Sequence, residues 1–337
     1  MILTYKIKHS RDFNHELNLA KKVAVFAIKE RKISSKDVKH IGLKSMIANQ
    51  ILRKYARNRK AKVANSVNLA IPSQGIKVMN KEINIPCLNL VLPIQFNASF
   101  EKINQIELDN TYAYISCTYK EPPQYKPETV IGVDRNTTGH VLVAANINTG
   151  KVLKLGKECN HIHQKYKNIR KTLQKKGKFG VLKKIKSRES RIVKNINHQI
   201  SKKLVIDAQK SKAIIVLEGL KDIRRTAKTR KKQRYSLNSW SFYQLQNMIE
   251  YKSKKYGVSV AYVEPQYTSQ RCSRCGHIDS NNRKAKLFCC KNCATVENAD
   301  VNAGFNIAHL YREGISQFSK ESDLLKGSTD TPRGDRL

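Results

Sequence analysis

The sequence predicts an α/β domain in its carboxy-terminal half, an open sheet with helices on its faces that carries an inserted zinc ribbon. A helical segment and a set of antiparallel strands precede it. Three observations carry this reading. Two Cys-x-x-Cys pairs, Cys272/Cys275 and Cys290/Cys293, flank a polar insert rich in Asn, Lys and Arg. Two apolar runs, residues 129–134 and 213–218, end in the acids Asp134 and Glu218, and the second is continuous enough for a strand buried on both faces. Between Val63 and Tyr125 the chain changes to short apolar runs punctuated by Asn, Ser, Gly and Pro, the texture of antiparallel strands.

In chain order, residues 1–9 alternate well enough for one strand. From Asp12 to Lys32, Phe13, Leu17, Ala20, Ala24, Ala27 and Ile28 recur at helical spacing. Ser34, with Asp37 three residues on, resembles the start of a further helix whose apolar face is Leu43, Ile47, Ile51 and Tyr55. Strands are expected over 83–96, 105–108 and 112–119, closing with the first strand into a partial barrel. The proline-rich stretch from Glu121 to Pro127 marks the domain boundary. Beyond it, strands over 141–145 and 151–155 form a meander that turns at Asn148-Thr-Gly150. Residues 161–209 read as one long helix or a helical hairpin bent near Gly177 and Gly180. Trp240, Tyr243, Leu245, Met248, Ile249 and Tyr256 mark a helix, Val258–Val263 a second buried strand, and the tail 312–337 is expected to be disordered.

A thiolate pair two residues apart grips one face of a tetrahedral Zn2+, and a second pair closes the site. Cys272, Cys275, Cys290 and Cys293 are therefore the expected zinc ligands. Cys289 beside Cys290, or His277, could replace a thiolate, and disulfides are the rival reading of such pairs. Cys87, Cys117 and Cys159 lack the spacing and read as buried small hydrophobes.

The 337 residues carry 65 Lys and Arg against 26 Asp and Glu, a formal charge of +39. Such a chain repels itself without a polyanion, and nucleic acid is the expected partner. No run of about 18 apolar residues exists to cross a membrane, so a soluble, cytoplasmic, nucleoid-associated protein is expected. Between His161 and Lys203 the one acid is Glu189. Lys165, Arg170, Lys171, Lys175, Lys176, Lys183, Lys184 and Arg188 are the expected phosphate contacts there, joined by Arg224 and Arg225 from a second basic run, Lys221 to Arg234.

Asp134 and Glu218 end apolar strands, and Asp300 opens an apolar helical pattern of Val301, Ala303, Phe305, Ile307 and Ala308. Strand ends and helix starts converge on one rim of an open sheet, so the three acids can meet. Gathered there they repel unless a hard cation sits among them, and Mg2+, as two ions, suits hydrolysis of a phosphodiester backbone.

These residues resemble a known family, the transposon-encoded TnpB proteins (OrfB type), related to the type V CRISPR effector nucleases. The resemblance rests on Gly132-Val-Asp134, Leu217-Glu218-Gly-Leu220, Thr268-Ser-Gln-x-Cys-Ser-x-Cys-Gly276, and Cys290-x-x-Cys293 followed by Asn298-Ala-Asp300-Val-Asn302-Ala303. It covers residues 128 to 310. It implies a RuvC-type, RNase H-like nuclease domain over 128–311 with a zinc ribbon inserted at 268–297. It also implies a β-rich wedge domain, barrel-like, from 1–10 and 63–125, and a helical recognition lobe at 11–62. The implied activity is RNA-guided cleavage of DNA, with a guide RNA from the transposon end and a target bearing a short adjacent motif. Asp134, Glu218 and Asp300 carry over as Mg2+ ligands, and the paired cysteines as structural zinc ligands. Asn136 and Ala294 stand where the family often has Gly. Rival readings are a guided regulator that binds without cutting, a strand-joining transposase, and a purely structural ribbon protein.

Overall fold

The computed structural model describes residues 1–94, 96, 100–219, 242–314 and the backbone of 316–317. The chain divides into two compact units, one over Met1–Lys120 and one beginning at Glu121.

The first unit opens with β1 (Ile2–Lys8) and α1 (Asn14–Glu30), followed by a 3-10 helix over Ser35–Ile41 and α2 (Ser45–Ala56). The Ser34 hydroxyl accepts from the Lys36 amide, so it starts the 3-10 helix rather than α2, and Gly42 at φ 83° ends that helix. Strands β2 (Leu69–Pro72), β6 (Lys102–Leu108) and β7 (Tyr112–Thr118) join β1 in an antiparallel sheet of order β1-β7-β6-β2. Between β2 and β6, β3 (Lys77–Met79), β4 (Glu82–Ile85) and β5 (Leu90–Pro93) pair separately. The single strand expected over 83–96 is broken because Pro86 cannot donate to a ladder and Asn89 turns at φ 47°. Among the described residues, hydrogen bonding leaves the four-stranded sheet open at β1 and β2 instead of closing a barrel. One hydrophobic core, with Phe13, Ile47, Leu52, Ile71, Ile106 and Ile115 fully buried, joins both helices to the strands.

The second unit is a mixed sheet of β8 (Thr129–Arg135), β9 (Leu142–Asn146), β10 (Val152–Leu155), β11 (Ala213–Glu218), β12 (Val260–Val263) and a short β13 (Ser316–Gln317), in the order β10-β9-β8-β11-β12-β13. The tail expected to be disordered thus contributes a two-residue edge strand, antiparallel to β12, and residues 318–337 lie outside the described residues. The helices are α3 (Lys157–Lys175), α4 (Phe179–Ile185), α5 (Arg188–Lys210), α6 (Phe242–Tyr256) and α7 (Ala299–Arg312). Strand parity sorts the core. Ile131, Val133, Ile215 and Leu217 face α5 and α6, whereas Ile214 and Val216 pack with Ile307 and Leu310 of α7 on the opposite face. No described helix is long and apolar enough to cross a membrane.

Candidate active site and metal centre

β8 and β11 are parallel neighbours with Leu217 opposite Val133, so Asp134 and Glu218 come one step later on adjacent strands, both on the α7 face by parity. Both are buried, at 8% exposure each. α7 crosses this face through Asp300, Gly304 and Ala308, spaced four apart on one side of the helix. The approach is close enough that a Cβ on Gly132 would lie 2.1 Å from the Gly304 carbonyl oxygen and 2.5 Å from the Ala308 nitrogen. Glycine at 132 seats α7 on the sheet and directs Asp300 toward the strand ends. Asn298 caps the helix, its side chain accepting from the amides of Asp300 and Val301.

Each acid is held by a neighbour. Asn136 donates to Asp134 Oδ2 at 2.7 Å, and Thr268 Oγ1 donates to Glu218 Oε1 at 2.6 Å. Lys286 Nζ donates to Asp300 Oδ2 at 2.6 Å, and Arg283 reaches Oδ1 at 3.4 Å. The buried Arg135 donates to the Glu218 carbonyl at 2.5 Å and to Gln246 at 3.1 Å. Burial, then the charge of Glu218, pushes the Asp134 carboxyl up to about 7, and burial also raises that of Glu218. Asp300 adds to the repulsion at Asp134, and Arg283 relieves it at both strand acids. Carboxylate oxygens suit a hard divalent cation, but among the described residues these three acids do not gather their ligand atoms within 4.8 Å of one another as the four cysteines do.

Thr268, Arg283 and Lys286 were not among the sequence-predicted site residues. Thr268 was visible within its motif, but nothing local assigned it to Glu218, fifty residues away. Arg283 and Lys286 stood in the polar insert with no spacing to single them out.

The ribbon lies between β12 and α7, with strands Arg283–Lys284, Leu287–Cys289 and Val296–Asn298. The Sγ atoms of Cys272, Cys275, Cys290 and Cys293 lie within 4.8 Å of one another. Cys272 to Cys293 is 3.7 Å and Cys275 to Cys290 is 3.6 Å. A tetrahedron with arms of about 2.3 Å has edges near those lengths, so the group could hold zinc. Among the described residues it is the one group of its kind, and it contains Cys290 rather than Cys289. Hydrogen bonds from Thr295 draw the Cys293 thiol down to about 6, and the His277 amide lowers that of Cys275. In each knuckle the residue after the second cysteine is left-handed, Gly276 at φ 77° and Ala294 at φ 53°. Asn302 accepts from the Ser273 amide and donates to the Arg271 carbonyl, and Asn306 donates to the Thr268 and Arg271 carbonyls. Two α7 asparagines thereby fasten the ribbon to the helix that carries Asp300.

Of the expected phosphate contacts, Lys165, Lys171, Lys175, Lys183, Lys184 and Arg188 are exposed on α3, α4 and α5, and Lys176 is exposed just past the end of α3. Arg170 instead pairs with the buried Glu189, which also binds His163 Nδ1 at 2.6 Å. The one acid of the basic segment therefore joins α3 to α5. Arg224, Arg225, the rest of the Lys221–Arg234 run, and Trp240 lie outside the described residues.

The family model described as the Cas12f1-like TNB domain matches residues 242–307, from α6 through the ribbon to α7. The CRISPR-associated endodeoxyribonuclease Cas12f1 of Sulfoacidibacillus thermotolerans is 29% identical over 288 residues, 80% of this chain, and the chain spans 64% of that relative's length. A cryo-EM structure of a Cas12f1-sgRNA-target DNA complex matches with a TM-score of 0.61 at 18% identity, over 88% of this chain and 82% of that one, which shows a common fold. A TnpB-like protein of Aquifex aeolicus is 30% identical over 220 residues, covering 57% of this chain and 70% of its own. At that identity and coverage, the chain belongs to the family of TnpB-like proteins, and it shares the fold of that Cas12f1 structure.

Proposed function

We propose that the protein is an RNA-guided DNA endonuclease whose active site is Asp134, Glu218 and Asp300. What supports this reading is that Asp134 and Glu218 follow one step past a parallel pair on adjacent strands, and that Asp134 feels the charges of both Glu218 and Asp300. Mg2+, as two ions held by these carboxylates, would supply an activated water and stabilise the leaving oxygen. Asn136 and Thr268 orient the carboxylates of Asp134 and Glu218. Arg135 braces β11 through the Glu218 carbonyl. Zn2+ on the four cysteines would be structural, holding Arg283 and Lys286 at Asp300. The wedge, over 1–10 and 63–125, and the recognition lobe, over 11–62, would bind guide RNA and the motif beside the target. The lysines of α3, α4 and α5 would hold phosphate backbones by charge, while base pairing selects the sequence. The endonuclease and CRISPR names of relatives such as Cas12f1 support this reading.

The test is to co-express the chain with its flanking transcript, sequence the RNA that copurifies, and offer DNA matching its variable end. Mg2+-dependent cutting that is lost in Asp134→Ala is the expected result. Guided binding without a cut product would make the protein a regulator, and the absence of a specific RNA would refute both.

A further inference from the structure

A cavity of about 630 Å3 is lined by Gly139, Lys157, Glu158, Asn160, His161 and Gln164. It adjoins the acid rim. A Cβ on Gly139 would lie 3.6 Å from Lys286 Cε, and Lys286 is bonded to Asp300. His140, the next residue, lies in the field of Asp300 and of the cations Lys154, Lys157 and Lys286.

The cavity's wall has a helical pattern. Lys157, Asn160, His161 and Gln164 recur at i, i+3, i+4 and i+7, so they share one face of α3. The same face continues through Asn168, Lys171 and Lys175, and the opposite face buries Cys159, His163 and Tyr166. No acid stands on this stripe; Glu158 lines the cavity from beside it. Lys157, His161, Lys171 and Lys175 make no ion pair among the described residues. The helix has 19 residues, so the stripe runs roughly 28 Å from the rim.

We propose that this face of α3 is a track for the DNA strand being cut, with Lys157 and His161 holding the phosphates next to the scissile one. The proposal rests on the nuclease reading above. A strand is continuous, so the nucleotides beside a phosphodiester held at the acids must leave the rim along some surface. The adjoining surface is a row of hydrogen-bond donors and uncompensated positive charge. Such a row meets phosphate and sugar without reading sequence, which suits an enzyme that selects its target by base pairing.

The test uses the complete protein with its copurified RNA. In EDTA, the double variant Lys157→Ala/His161→Ala is expected to bind a fluorescent single-stranded oligodeoxynucleotide about tenfold more weakly, with a smaller slope of log affinity against log salt, close to 0.7 less for the one cation removed. A photocrosslinking residue at Gln164 is expected to label matched DNA within a few nucleotides of the cut. Unchanged affinity and slope, or crosslinks to RNA alone, would overturn the track while wild-type cutting in Mg2+ still upheld the nuclease. Absence of cutting by the wild-type complex would overturn the nuclease reading, and the track with it.

Discussion

Lys286 Nζ donates to Asp300 Oδ2 at 2.6 Å, so a residue of the ribbon neutralises a carboxylate of the α/β core. The Asp300 side chain is 4% exposed and that of Lys286 39%, with Arg283 at 3.4 Å as the second cation. A buried carboxylate that loses its partner is costly, and partial exposure of Lys286 lowers the cost to about 1–2 kcal/mol. With zinc retained and no added Mg2+, Lys286→Met is expected to lower the Tm by several degrees. Because a ligand that binds only the folded state stabilises it, added Mg2+ should raise the variant's Tm by more than the wild type's. Equal Mg2+ shifts in both would show that Lys286 and the cation do not share Asp300.

Asp134 predicts a pH dependence of the metal-free protein. Burial raises its folded pKa to about 7 from 3.8, so between those values the native state holds a proton that the unfolded chain has released. The sign follows from linkage: this stability is fully present below about 4 and is lost as pH rises through 7. Asp134→Asn in EDTA is therefore expected to be more stable than wild type at pH 8, by about 2–4 kcal/mol. The gain should shrink toward pH 4. Chemical denaturation across that range measures it, and a gain independent of pH would contradict the assignment.

Gly132 and Gly304 face each other where α7 meets the sheet, but they do not tolerate a methyl group equally. At Gly132 the added Cβ would meet backbone at 2.1 and 2.5 Å, whereas at Gly304 its nearest neighbour is the Ala145 Cβ at 3.3 Å. Overpacking against backbone that cannot yield makes Gly132→Ala cost about 3 kcal/mol or more, and Gly304→Ala about 1 kcal/mol or less. Urea unfolding gives the order, and the reverse order would refute this account of the close approach.

Ala294 occupies a left-handed conformation at φ 53°, where its counterpart in the first knuckle is Gly276. Relief of that strain makes Ala294→Gly stabilising for the ribbon by about 1 kcal/mol. The readout is resistance of bound zinc to a chelator, followed with a metallochromic dye. Faster loss from the variant would contradict the prediction.

Chelation of the native protein should act beyond the ribbon. One Zn2+ per chain is expected by elemental analysis, and Cys290→Ser should abolish it. Because Asn302 and Asn306 fasten the ribbon to α7, metal loss should raise amide exchange in residues 283–302 before it does in β8 or β11. Uniform exchange across both regions would show that the ribbon does not melt on its own.

Local spacing alone determined the cysteine set, the helical faces of α1 and α2, and the placement of Asp134 and Glu218 at the ends of apolar strands, because period and run length record which face of an element is buried. The same rules misjudged residues 83–96, where Pro86 and Asn89 redirect the chain, and they gave no sign that Arg170 pairs with the buried Glu189. They favoured Cys290 over its neighbour Cys289 because only Cys290 forms a Cys-x-x-Cys pair with Cys293, and the folded knuckle gathers that one. They did not attach Thr268 to Glu218, Lys286 to Asp300 or Gly132 to α7. Those partners lie far apart in the chain and meet through the parallel register of β8 with β11 and the seat of α7 on their face, which packing of the whole unit decides.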